Sequence, residues 1–428
     1  MNRTVDMKKI DLMLLILALI LLAAGFLFVR LMRIAPGAQK KEKNTKLVFT
    51  QWWEDELEEG TLLALAEEFE ALHPGVAIQL DNRPYAEILS GLRSPGESSL
   101  APDVVGLDPF WFEDLVRRDI LEELDPWEST ENLPMDLPDG SDQGYEKWGR
   151  HLISFINPLY YNIALLRDAG FDRPPKSRVE MLAYARRVTD AGAGRYALAM
   201  ALGPENPRGV YRDIFSWIWA LSPRTFRESR PDFSARSIAG TLDFLRELRQ
   251  EGCLVPGTFA KTEAEKREDF IQGRVAMMIA SVADIHLLRQ RMGEGVFGIT
   301  VIPGESSFEG KPLLGLTSWS LGIPRSAARK EEARAFLAFL LERGPLIAEK
   351  ARAVPGSLNR TVDFSAGDPL YAKAYDIYTA GETVQELWGV SGADQFEALV
   401  REQLYALFEE GRTPEETAEQ IQQQWEKL

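Results

Sequence analysis

The chain reads as an α/β protein behind an apolar N-terminal segment. Two observations carry that reading. From residue 47 onward, short apolar strand patterns alternate with amphipathic helix patterns. Before them, "LMLLILALILLAAGFLFV", Leu12 to Val29, carries no charge. A hydrocarbon core needs about 20 such residues. Lys8 and Lys9 precede the run, and Arg30, Arg33, Lys40, Lys41 and Lys43 follow it. Charge on both sides leaves the positive-inside rule indecisive. The run is longer than a signal-peptide core, no clean small-x-small cleavage site follows it, and no cysteine stands close behind it for lipidation. The expectation is an uncleaved signal-anchor helix at about residues 12–29 of a 1–32 anchor segment, with 33–46 as a polar linker.

The elements follow in order. "LVFTQ" is a strand, and Leu62, Leu65, Phe69 and Leu72 mark one face of the next helix. "VAIQL" and "PDVVGL" are strands, and "FWFEDLVRRDILEEL" reads as a single helix. "ISFINPLYYN" is extended and broken at Pro158. "SRVEMLAYARRVTDAG" opens on the capping-box pair Ser177 and Glu180. "VAMMIAS", "FGITVIPG" and "TSWSLGIP" are strands. "RKEEARAFLAFLLERG" is amphipathic through Ala333, Phe336, Leu337 and Leu340. The last helix has Thr413 as N-cap, Pro414 at its first position and Glu416 at its third.

Composition excludes several functions. The 428 residues carry a net charge of -16, which opposes nucleic-acid binding, because phosphate contacts need clustered cations. One cysteine, Cys253, forbids an intrachain disulfide. His73, His151 and His286 are too scattered for a zinc site built mainly from His and Cys, so no metal is expected. No P-loop, G-x-S-x-G or H-E-x-x-H motif occurs. "GEGVFG" precedes a strand instead of linking strand to helix, so it is no dinucleotide fingerprint. Asp136, Asp139 and Asp142 in "DLPDGSDQG" read as a solvated turn rather than a calcium loop.

The motif "TQWWEDE" places two indoles and several carboxylates at the exit of the first strand, where ligands of open α/β sheets bind. Around it stand others: "APDVVGLDPFWFEDLVRRDILEELDPW", "PLYYNIALLRDAGFDRPP", "EDFIQGRVAMMIAS", "FGITVIPG…GLTSWSLGIP" and "GRTPEETAEQIQQQW". In this order, from Leu47 to Leu428, the chain resembles the family 1 extracellular solute-binding proteins of ABC importers, the carbohydrate-binding group that includes maltose-binding protein.

That resemblance implies a periplasmic-binding-protein-like fold, two α/β lobes joined by crossing strands with a ligand cleft between them. It puts residues 47–156 and 282–325 in an N-terminal lobe, and 157–281 and 326–428 in a C-terminal lobe. Crossings fall near Phe155 to Asn157, near Ser281, and near Pro324, which are the expected hinge positions. Indoles cover the apolar faces of sugars, and carboxylates accept from hydroxyls. The implied ligand contacts are Trp52, Trp53, Glu54, Asp108, Phe110, Trp111, Tyr160, Tyr211, Arg212, Trp217, Trp319, Trp388 and Asp394. Successive strand residues point to opposite faces, so a reading in which one of Trp52 and Trp53 lines the cleft and the other is core stays open beside this set. Trp217 and Trp219 are read as helical, one of them core. After "AMMIAS" many relatives carry a Gly-x-Trp platform; here the run is "SVADI".

The resemblance thus implies a monomeric, membrane-anchored extracytoplasmic binding protein, not an enzyme. It implies no cofactor, a carbohydrate or similar polar solute, and partner permease subunits. Three rivals remain: a solute sensor, a structural protein on this fold, and a cell-envelope glycan enzyme using Glu54 and Asp108.

Overall fold

The computed structural model describes residues 45–94, 99–124, 147–204, 208–227, 230–355, 363–365, 367–384 and 392–425. The expected anchor, most of its linker and the "DLPDGSDQG" turn lie outside them. Among the described residues no helix is long and apolar enough to cross a membrane. The architecture below is that of the unit formed by Leu47–Phe69 and Ile78–Leu428.

The described strands are β1 (Thr45–Gln51), β2 (Val76–Asn82), β3 (Val104–Leu107), β4 (Gly149–Ile156), β5 (Leu159–Asn162), β6 (Tyr196–Ala199), β7 (Phe226–Arg227), β8 (Arg230–Pro231), β9 (Val275–Ile279), β10 (Phe297–Thr300), β11 (Leu313–Gly322), β12 (Val354–Pro355) and β13 (Glu382–Val384). They form two main sheets. The larger runs β12-β4-β11-β3-β1-β2, with β13 alongside β11; the smaller runs β10-β5-β9-β6. In the larger sheet β1 and β3 are parallel, and β11 is antiparallel to both β3 and β4. Strands β3 and β9 are buried at every position, and both read as unbroken small or apolar runs, as strands covered on both faces must.

Gly106 within β3 has a packing reason. A Cβ there would sit 2.9 Å from Cζ2 of Trp53, so the missing side chain is what seats the indole.

Helices cover the sheets with the stripes their spacing predicts. Leu62, Leu65 and Phe69 of helix Thr61–Leu72 are buried, whereas Leu72 stands exposed at its end. The Ser177 side chain accepts from Glu180 N at 3.2 Å, but the Glu180 carboxylate reaches back to Lys176 N instead of closing the box. Thr413 and Glu416 do close theirs, at 3.2 and 3.0 Å.

One expected element differs. The stretch read as a single helix from Phe110 is a 3-10 turn, Pro109–Trp111, and a short helix, Phe112–Arg117. Asp119 then takes a left-handed φ of 58° and turns the chain back, so that Leu121 pairs with Pro324. Tertiary pairing of the apolar Leu121 overrides helix propensity there.

The chain passes between the sheets at Asn157 and Pro158, again between Ile279 and Val282, where Val282 N donates to Ile156 O at 3.1 Å, and again between β10 and β11. Two stretches part from the expected lobe boundaries. Strand β10, expected with residues 47–156, pairs antiparallel with β5 in the smaller sheet. Helix Lys330–Glu342, expected with the C-terminal lobe, packs on β3 and β4, because its apolar face (Phe336 above all) meets Phe49 at 5.5 Å. Helices Ala393–Glu409 and Pro414–Trp425 pack with helix Arg236–Gln250 beside the smaller sheet.

Candidate functional site

The exits of β1, β2 and β3 converge on one aromatic face. Trp52 follows β1, Tyr85 follows β2, and Trp111 lies in the turn after β3. Their rings meet pairwise at 5.2 Å (Trp52–Tyr85), 4.6 Å (Tyr85–Trp111) and 5.4 Å (Trp52–Trp111). Trp52 and Tyr85 are half-buried, so this wall keeps part of its surface free.

Asp108 lies within it and is 0% exposed. Its carboxylate caps the following turn by accepting from Phe110 N at 3.0 Å. It also accepts from the Tyr85 hydroxyl at 2.5 Å and pairs with the Arg208 guanidinium. Arg208 comes from the small-sheet half, just before the π-turn Tyr211–Phe215. Its guanidinium lies over the rings of Tyr85, at 5.4 Å, and Phe110, at 6.0 Å. Phe110 meets Tyr211 edge to face at 4.9 Å. These contacts bridge the two sheet-centred halves.

The facing side is charged. Arg212 pairs with Glu263 at 2.8 Å and donates to Thr317 Oγ1 of β11 at 3.2 Å. Thr317 donates to Asn157 Oδ1, and Asn157 donates to Gly315 O, so the network ends at the first crossing. Lys266, 0% exposed, spends its ammonium on Asp213 (2.8 Å), Glu263 (2.7 Å) and Ile279 O (2.8 Å). Arg267 pairs with Asp284.

The protonation balance follows from this packing. Burial raises Asp213 above the usual carboxylate range, against the pull of Lys266. Burial also opposes the charge on Glu263, but Arg212 and Lys266 outweigh it and hold that group low. Glu56, in the turn after Trp53–Asp55, is raised to about 7, first by burial and then by the Asp284 carboxylate, with Arg267, Arg208 and Arg212 opposing. Burial lowers the Arg208 pKa.

The residues singled out from sequence fall into separate groups. Asp108, Phe110, Tyr211 and Arg212 gather where the halves meet, while Trp52 packs against Tyr85 and Trp111, and Trp111, 2% exposed, belongs to a core cluster of the large-sheet half. Trp53 is 1% exposed and stacks on Trp319 at 4.7 Å and 8°, so that pair lies within the large-sheet core. Glu54 is exposed on its turn. Tyr160 is fully buried in the smaller sheet and donates to Ser281 O at 2.7 Å. Trp217 and Trp219 are both fully buried on a helical turn, Ser216–Trp219. Trp217 packs on Phe244, and Trp219 packs on Tyr211 and Phe215. Trp388 lies outside the described residues, as does the side chain of Asp394.

Of the hinge positions, Phe155 is core beside Trp319 at 5.0 Å, and Asn157 anchors the first crossing. Ser281 Oγ accepts from Ala283 N at 3.2 Å. Pro324, expected at the third crossing, instead follows β11 within the large-sheet half as the partner of Leu121, because the chain crosses earlier, between β10 and β11. Sequence reasoning passed over Tyr85, Arg208, Glu56, Lys266 and Arg267. Tyr85 alone had a signal, since it too follows a strand exit.

A cavity of about 10 Å³ at the first crossing, lined by Asn157, Pro158, Ile302 and Leu314 among others, holds at most about one water and is no solute site.

Comparison with known proteins agrees with this architecture. A model of the bacterial extracellular solute-binding proteins matches residues 54–345. A binding protein of Brucella abortus (strain 2308) is 24% identical over 287 residues, covering 64% of this chain and 67% of its own length. Among solved structures, an ABC transporter solute-binding protein of Thermotoga lettingae, bound with α-D-tagatose, superposes with a TM-score of 0.71 at 20% identity, covering 90% of this chain and 99% of its own. Maltose-bound MalE3 of T. maritima gives 0.69 at 19%, covering 90% and 100%. The GacH receptor of Streptomyces glaucescens, solved unliganded and with acarbose, gives 0.67 at 20%, covering 90% and 98%. The fold is thus that of the periplasmic-binding-protein-like α/β proteins, and the chain belongs to the family of bacterial extracellular solute-binding proteins.

Proposed function

We propose that this protein is a membrane-anchored, extracytoplasmic solute-binding protein of an ABC importer. It takes a carbohydrate between its two halves and delivers it to permease subunits. The observation that carries this reading is the aromatic wall of Trp52, Tyr85 and Trp111 around the buried Asp108 carboxylate, facing the other half across the crossing strands. Ring faces suit the C–H surfaces of a sugar, and the Asp108 carboxylate, with about four acceptor sites of which Phe110 N, the Tyr85 hydroxyl and Arg208 take three, keeps capacity for a hydroxyl. Three neighbours of the same fold are described with tagatose, maltose or acarbose, which supports the solute class. Closure of the halves around solute, with Asn157 and Ser281 at the crossings, is the working motion. The uncharged run Leu12 to Val29 supports the anchor. No bond is made or broken, so the protein is not an enzyme in this reading.

The test is thermal melting of the full chain in detergent against mono- and oligosaccharides. A solute at 100 times its Kd adds about 2.7 kcal/mol of stability to the folded state. A shift confined to one sugar class supports the reading, whereas a flat response across sugars alongside a shift with amino acids or peptides overturns it.

A further inference from the structure

We infer that the Asp108 box is a subsite for a positively charged group. The solute carries a protonated amine or guanidinium beside its hydroxyls, and Arg208 of the chain itself fills that subsite in the structure described here. The inference rests on the two halves enclosing the solute.

The Asp108 carboxylate, with no exposed surface, needs a cation or several donors. Among the described residues, its own half supplies Phe110 N and the Tyr85 hydroxyl, two donors and no cation. The nearby cations of that half are held by other acids: Arg83 by Asp81 and Glu87, and Arg93, Arg117 and Arg118 by Asp114. The positive charge on Asp108 comes from Arg208, across the cleft.

Among the described residues, the guanidiniums of Arg208, Arg212 and Arg267 reach toward Glu56 of the opposite half, and their partners differ. Arg212 is paired with Glu263 and Arg267 with Asp284, both from the same half. Arg208 is paired with a carboxylate of the opposite half. Separation of the halves therefore leaves Arg212 and Arg267 neutralised and withdraws the cation from Asp108.

The surroundings of the Arg208 head group show what the box accepts. The guanidinium lies over the Tyr85 and Phe110 rings, whose faces attract cations. Trp52 and Trp111 close the other sides of Tyr85. A buried carboxylate under aromatic faces is a cation site, and its occupant is already of that type. The solute class that fits is an amino sugar or another polyol bearing a protonated nitrogen.

The experiment uses the full chain in detergent and reads tryptophan fluorescence, with methylguanidinium, glucosamine, glucose and glucuronate as probes at matched ionic strength. Arg208→Ala and Arg208→Gln are compared with the unaltered protein, each with a melt to establish that it is folded. In both variants methylguanidinium is expected to bind saturably and at least ten-fold more tightly than in the unaltered protein. Adding Asp108→Asn abolishes that binding, and glucosamine outcompetes glucose by at least ten-fold.

A saturable methylguanidinium signal that survives Asp108→Asn overturns the inference, as does the absence of any signal in both folded Arg208 variants. If glucose or glucuronate binds while methylguanidinium does not, the cation subsite falls and the carbohydrate reading stands. If methylguanidinium binds through Asp108 and no sugar does, the subsite stands and the carbohydrate reading falls.

Discussion

Trp52 and Trp53 are neighbours in the chain and live in different physical regimes. Trp53 is stacked on Trp319, set edge-on to Phe49 at 5.7 Å, and seated over the bare Cα of Gly106. Every face of its ring is spent on packing. Trp52 is half-buried and shares its ring with Tyr85 and Trp111, which stand at the next two strand exits. One indole stabilises the sheet; the other presents a surface. The split arises just past the end of β1, where Trp52 (φ -117°, ψ 9°) leads into the 3-10 turn Trp53–Asp55, and the two rings still meet edge-on at 5.7 Å.

The comparison breaks if both tryptophans behave alike. Trp53→Ala should cost about 3–5 kcal/mol of stability, the usual loss for a large aromatic deleted from a packed core, read by urea denaturation. Trp52→Ala should cost far less stability, about 1 kcal/mol, and instead weaken solute binding by roughly ten-fold or more. Equal stability losses would erase the distinction.

The same contrast sharpens on the charged side. Lys266→Met strands Asp213 in a fully buried position and should cost about 3 kcal/mol or more. Adding Asp213→Asn should recover part of that loss, measured by the same denaturation. By comparison, Arg343→Met removes the partly exposed pair with Glu68 and should change stability by less than about 1 kcal/mol.

The smallest effect is a pH dependence. An unfolded glutamate titrates near 4.5, and Glu56 in the folded protein near 7. The folded state therefore holds more protons on Glu56 between those values, so the contribution of this group is fully present below pH 4.5 and is lost as pH rises toward 7. Glu56→Gln should flatten that slope and raise the melting temperature at pH 8 by about 1–2 °C, with little change at pH 5. An unchanged slope would place Glu56 in water and remove it from the cleft.

Much of the large-sheet side was legible in the chain. Strand exits after "LVFTQ" and "PDVVGL" are local features, and Trp52, Asp108 and Trp111 follow from them. The other side was not. Lys266 sits in "EAEKRED", a helix with little apolar pattern, and its burial depends on Asp213 53 positions away. Arg208 follows no periodicity, and its role exists only when Asp108 of the other half is opposite. The lobe boundaries failed to emerge for the same reason. Whether β10 belongs with β5 or with the larger sheet is decided by pairing, which local sequence does not encode. The short helix after β3 was misread because one left-handed residue, Asp119, ended it.

Solute is expected to meet the Trp52 face and to leave the Trp53 core untouched. The most direct test is a fluorescence titration of the full chain with a sugar that raises the melting temperature, repeated in Trp52→Phe and Trp319→Phe. The account predicts that the ligand-induced spectral shift largely disappears in Trp52→Phe, with weakened binding, and persists in Trp319→Phe at unchanged affinity. A full shift at full affinity in Trp52→Phe would contradict it.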